Sequence, residues 1–194
     1  TKSPEPQMAF DAEDVPKTDM NTAAIERYLE KKGRDADSLL AAFMTSQNKD
    51  YLKEAAKRFP DDPRVQLAVI QNKLFPEETR QWIDRLKQSD PNNSLPYYLS
   101  ALDALQNKRT DEGLKDLALA SEKNAFSFYR LQNMKSVEEM SLFNGLSPGM
   151  AKMAAMSGAV GMESLSSFKQ VGVSVNELYQ QYQNDNPATA DSVA

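Results

Sequence analysis

The sequence predicts an all-α fold built from paired antiparallel helices. Three observations carry that expectation. Apolar residues recur at helical spacing through most of the 194 residues. No strand-type alternation is sustained over five residues apart from one stretch split by glycine, and Pro-, Asn- and Gly-bearing breaks return at a near-constant interval.

Residues 1–20 contain three prolines and few apolar side chains, which predicts a flexible N-terminal tail, with Phe10 and Val15 as its candidates for contact with the body. Asn21 or Thr22 opens the first helix, where Ala24, Ile25, Tyr28 and Leu29 share a face. Gly33 stops it after Lys31 and Lys32, two cations suited to the negative end of a helix dipole. Asp35 or Asp37 starts the next, with Leu39, Leu40, Phe43 and Met44 as its stripe. A polar break at 47–50 precedes Tyr51, Leu52, Ala55, Ala56 and Phe59.

Phe59-Pro60-Asp61-Asp62-Pro63 reads as a stop and a restart, since Pro at a first helical position lacks only an N–H that would have no partner there. The helix that follows has a wide apolar band, Val65 to Leu74, and is expected to be buried on more than one side. Phe75-Pro76-Glu77-Glu78 is a turn leading to Trp82, Ile83 and Leu86. After Asp90-Pro91-Asn92-Asn93 come a helix from Leu95 to Leu105, a break at 107–111, and a paired helix through Leu114, Leu117 and Ala120. Phe126, Phe128, Tyr129 and Leu131 through Phe143 read as one or two more helical stretches, ended by Gly145. Ser147-Pro148-Gly149 caps a Met- and Ala-rich segment, 150–162. Val171 to Val175, split by Gly172, reads as a connector, and Ser174 caps a last helix before a polar tail at 184–194.

Composition narrows the chemistry. The chain has no Cys and no His, so disulfides, thiol nucleophiles, His/Cys zinc sites and a Ser-His-Asp triad are excluded within it. Its formal charge of -5 gives no general attraction to nucleic acid or anionic lipid, and no apolar run reaches membrane-spanning length. Clusters such as Lys31-Lys32-Gly33-Arg34 read as solvated helix faces. The acids gather at turns and first helical turns, where they favour the helix dipole, not in the opposed pairs that glycoside hydrolysis needs. No segment alternates oxygen ligands around a central Gly as a calcium loop requires. A start at Thr1 with a Pro- and acid-rich stretch suits a mature exported chain, and the lack of Cys agrees with an extracytoplasmic, periplasmic setting; a cytoplasmic one also fits.

The breaks have a period. Pro60 and Pro91 are 31 residues apart, and Asn124 follows Pro91 by 33. A single helical hairpin cannot bury its apolar face alone, whereas stacked hairpins can. Residues 94–124 resemble a tetratricopeptide repeat. Tyr97 stands at the aromatic position, Ala101 at the small crossing position, Gly113 and Ala120 at small positions of the second helix, and Leu117 at the bulky position between them. Asp90-Pro91-Asn92-Asn93 matches the family's most recognisable ending. Ser100 departs from the family, which prefers Leu there. The units at 63–91 and 36–60 match loosely.

The resemblance implies a right-handed solenoid of α-α hairpins over 21–124, with additional C-terminal helices, 125–183, packed on the repeats. It also implies a non-enzymatic interaction or scaffold module, in a bacterial cell envelope on the export reading, that holds a peptide or protein partner in a groove. The groove positions carried over are Leu95, Tyr98, Leu102 and Leu105, joined by Val65, Val69 and Asn72 of the preceding unit. No cofactor, metal or catalytic residue is implied. The plain alternative is that another helix of the chain covers that groove. Two further readings stand beside it. One is a self-associating subunit, such as a homodimer, using segment 150–162, where Ala151, Ala155 and Ala159 form one small-residue line flanked by Met150, Met153 and Met156. The other is a small-ligand binder with an internal pocket.

Overall fold

The computed structural model describes residues 21–159 and, beyond them, residues 169, 172–173, 176–177 and 180. The expected tails at 1–20 and 184–194, the end of the Met-rich segment at 160–162 and the cap at Ser174 lie outside the described residues. The described residues are all-helical, with no strand among them and a single isolated bridge.

The helices are α1 (Thr22–Lys32), α2 (Ala36–Ser46), α3 (Lys49–Arg58), α4 (Pro63–Gln71), α5 (Thr79–Ser89), α6 (Leu95–Gln106), α7 (Thr110–Ser121), α8 (Arg130–Phe143) and α9 (Pro148–Ala159). Local chemistry sets many of their ends. The Asn21 and Asp35 side chains accept from the backbone N–H groups of Ala24 (2.9 Å) and Ser38 (2.8 Å), satisfying donors that the first helical turn leaves free. Asn48 and Asp62 cap α3 and α4 in the same way, and Pro63 opens α4. Gly33 ends α1 in the left-handed region at φ 68°, where a side chain would be strained.

Successive helices pair as α2–α3, α4–α5, α6–α7 and α8–α9, with α3 on α4 and α5 on α6 linking the first three hairpins. The fourth breaks the succession. Beyond its own partner α9, α8 packs extensively on α2, while α9 also reaches α2 and α8 touches α1. One apolar core therefore joins α1–α4 to the C-terminal hairpin, with Tyr28, Leu39, Leu40, Leu52, Val137 and Met140 among its members. Ala36 and then every residue from Ser38 to Phe43 is buried, so α2 is enclosed on all sides. A smaller cluster holds Leu67, Leu86, Leu95 and Tyr129, with Leu99 and Phe128 against it.

Where α6 crosses α7 the helices are close. A Cβ on Gly113 would lie 2.8 Å from Leu105 Cγ and 3.4 Å from the Ala101 carbonyl oxygen, so this site accepts no larger residue without displacement.

Two expectations are corrected. Residues 126–129 are not helical: α8 begins only at Arg130, because the segment before it runs alongside the start of α6 and bridges Asn93 to Ala125. Gly172 and Val173, read as a connector, lie in helical turns. Glycine in a helix costs about 1 kcal/mol relative to alanine, a penalty that helices tolerate.

Candidate interaction surface

The positions carried over as a groove fall into three environments. Val65, Val69 and Leu95 are essentially inaccessible inside the two apolar clusters and present no surface to a partner. Leu102 is buried too, and Leu105 is half-buried with its side chain against Gly113 of α7, turned toward the crossing. Asn72 is half-buried and donates to the Ala68 carbonyl of its own helix (2.8 Å). Tyr98 is half-exposed, its ring edge-on to Phe126 at 6.4 Å. The chain's own C-terminal part fills this region: Phe128 and Tyr129 pack by Leu95, and Val137 and Met140 belong to the core that takes in Val65 and Val69.

The connector is fixed there by a polar clasp. The Tyr129 hydroxyl donates to Asp90 (2.5 Å), and Asn93 Nδ2 donates to the Ser127 carbonyl (3.0 Å) and the Tyr129 oxygen (3.1 Å). Asn93 Oδ1 accepts from the N–H groups of Leu95 (3.1 Å) and Ser127 (3.0 Å), and the Ser94 N–H donates to the Ala125 carbonyl (2.8 Å). Asn93 is fully buried, so every one of these bonds replaces a lost water. Burial, reinforced by the hydrogen bond to Asp90, pushes the Tyr129 phenol well above its ordinary value. Tyr129 itself sits at φ 56°, a left-handed conformation held by these contacts.

A second polar cluster joins α5, α6 and α7. Lys87 Nζ donates to Ser100 Oγ (2.7 Å) and Asp116 Oδ1 (2.6 Å), while Ser100 Oγ donates to Asp116 Oδ2 (2.5 Å). An amine beside a hydroxyl can activate a nucleophile, but Ser100 is fully buried and the Lys87 ammonium is paired with the Asp116 carboxylate, so the Ser100 hydroxyl has no approach for a substrate. The cluster gives the fully buried Ser100 hydroxyl two polar partners inside the helix contacts.

At the other end, Arg34 donates through Nε (2.8 Å) and one terminal nitrogen (2.6 Å) to both oxygens of Glu54, and through its other terminal nitrogen to Glu26 (2.7 Å). The Arg34 hydrogen bond holds the Glu54 carboxyl below its usual range.

The accessible apolar surface lies on the C-terminal hairpin. Six of the eight large hydrophobic residues exposed among the described residues belong to α8 and α9: Leu131, Leu142, Phe143, Met150, Met153 and Met156. At 3.6 residues per turn the three methionines cover an arc of about 120° opposite Ala151 and Ala155, which are buried. Ala151 and Ala155 of the small-residue line are therefore used inside the molecule, and the thioethers face out. Phe143 is partly engaged, tilted on the Tyr28 ring at 5.4 Å with Lys31 Nζ 5.2 Å above it. Neither the inward fold of the groove positions nor the outward hairpin face has a signal in the repeat pattern; the Met spacing alone pointed to the latter.

These features define a class, an array of helical hairpins closed by its own C-terminal hairpin. A scan against protein-family models gives no match, and searches of curated proteins and of solved structures give none either. No helix among the described residues is long and apolar enough to cross a membrane.

Proposed function

We propose that this chain is a non-enzymatic interaction or scaffold module, tetratricopeptide-like in its first three hairpins, that docks a protein partner on the outer face of α8 and α9. The observation that carries the reading is the concentration of exposed Leu, Phe and Met side chains on that one hairpin. Such a patch is uncommon on a surface with no partner, and methionine adapts its shape to what covers it. The tetratricopeptide element of the proposal draws support from the close α6–α7 crossing at Ala101 and Gly113 and from the structural use of Asp90 and Asn93.

The test places a photo-crosslinker at Met153 and compares the unmodified face with the M150Q/M156Q background in native extract. A discrete crosslinked partner that disappears in the variant, with helix content unchanged, supports the proposal. The same products from both chains would sink it. A second reading, a homodimer, uses the same thioethers turned toward a second copy. Sedimentation at high concentration decides it: a dimer lost on Met153→Gln supports self-association, and a monomer throughout removes it.

A further inference from the structure

The C-terminal hairpin is sealed to the body in an unbalanced way. α8 turns Ser136 and Ser141 inward, and the buried Asn133 Oδ1 and Ser141 Oγ have no hydrogen-bond partner. It turns Leu131 and Leu142 outward, 64% and 44% exposed. The large apolar side chains that α8 sinks completely into the core are only Val137 and Met140. At the rim, the Lys32–Glu139 ion pair and the Phe143 ring contact on Tyr28 are both open to water. What lies beneath is richer in apolar side chains: α2 buries Leu39, Leu40, Ala41, Ala42 and Phe43 in one run, with Ser38 hydrogen-bonded within its own first turn and Thr45 Oγ1 as its one orphaned hydroxyl. One end of the hairpin is fixed, since Tyr129 at the start of α8 is tied to Asp90 and Asn93.

We infer that the α8–α9 hairpin is a displaceable cap, swinging about Tyr129 while α2–α7 stay folded, and that the α2 face it uncovers receives an amphipathic helix of a partner in the place of α8. The occupant is a helix because α8 is one: the face is already shaped to a cylinder of that length, and a competitor with leucines where α8 carries Asn133 and Ser141 lacks the two polar atoms that α8 buries without partners. The cap is an internal competitor that sets the affinity such a helix must exceed. This face is the inner one, distinct from the outer Met face, so the inference does not depend on that proposal.

The absence of cysteine makes the test direct. Ser136→Cys and Ser141→Cys, near-isosteric and on either side of the buried arc of α8, are labelled with a thiol reagent in native buffer and across low urea. Labelling at least about tenfold faster than the global unfolding equilibrium of the same variant permits, with a shallower urea dependence, is the expected result. Hydrogen exchange on the unmodified chain supplies the second measurement, with α8 and α9 amides exchanging ahead of those of α3 to α7. An excess of synthetic peptide of sequence 130–159 carrying Asn133→Leu and Ser141→Leu accelerates labelling further. Labelling and exchange that track global unfolding would overturn the cap, and a peptide without effect on an opening cap would overturn the helix-receiving face.

Discussion

The two ends of the molecule are held by different physics. Around α2 the interior is predominantly apolar: aliphatic side chains and aromatic rings from seven helices meet with charge kept to the margin, where Arg34 grips Glu54 and Glu26. Between α5, α6 and α7 an ion pair and a serine sit inside the helix contacts, and Asn93 anchors the connector. Apolar burial is non-directional and tolerates rearrangement, whereas a buried hydrogen-bonded pair dictates one geometry. The difference teaches where this sequence specifies register, at the α5–α7 end, and where it supplies adhesion, around α2.

The largest expected effect tests that contrast by subtraction. Asp116→Ala leaves the half-buried Lys87 ammonium without its carboxylate and the buried Ser100 hydroxyl without its acceptor, and should cost about 3 kcal/mol in urea unfolding, the lower end for a buried pair. Adding Lys87→Met and Ser100→Leu should return most of that loss, because an apolar replacement of a buried pair is often neutral. Leu52→Ala, at the apolar end, should cost about 2–5 kcal/mol with no second substitution nearby that restores it. If the triple replacement recovers nothing, the contrast fails. Asn93→Leu comes next, at about 2–3 kcal/mol, since it strands the N–H groups of Leu95 and Ser127; a loss confined to α8 and α9 in hydrogen exchange would sharpen the role of the clasp.

Smaller effects separate the ends by pH. Glu54 has its folded pKa lowered by Arg34, so its contribution is complete above the ordinary carboxylate value of about 4.3 and disappears as pH falls through the folded value. Glu54→Gln should therefore flatten the acid limb of the stability profile. Tyr129 is the reverse case. Its folded pKa is raised, so its contribution is complete below about 10 and is lost as pH climbs from there toward the folded value. Tyr129→Phe should flatten the alkaline limb. Smallest of all, Met153→Gln should leave stability within about 0.5 kcal/mol, as befits an outward side chain.

Much of the local structure was legible in the sequence because it is written in local chemistry. Asn21, Asp35, Pro63, Gly33 and Gly145 each act within a few residues of where they stand, and the predicted helix ends fall there. Residues 126–129 misled because Phe126, Phe128 and Tyr129 carry helical apolar spacing, while their conformation is imposed by Asn93, more than thirty positions away. The groove positions were read by analogy with one repeat, and several are covered by neighbours distant in sequence: Leu95 by Leu67, Leu86 and Tyr129, and Leu105 by the α7 backbone at Gly113. The return of α8 to α2 is a further contact that no local pattern encodes. Ser100 stood out as a departure, but Lys87 and Asp116 lie 13 and 16 positions from it, so its partners were visible only in three dimensions.

That return has a temporal meaning. During synthesis α2 emerges well before α8 exists, and at about 5–20 residues per second the interval lasts several seconds. Throughout it, α2, the most apolar of the described helices, is without the cover it ends with. While that interval lasts, the surface of α2 is open to whatever else the nascent chain meets, and the arrival of α8 and α9 ends the exposure.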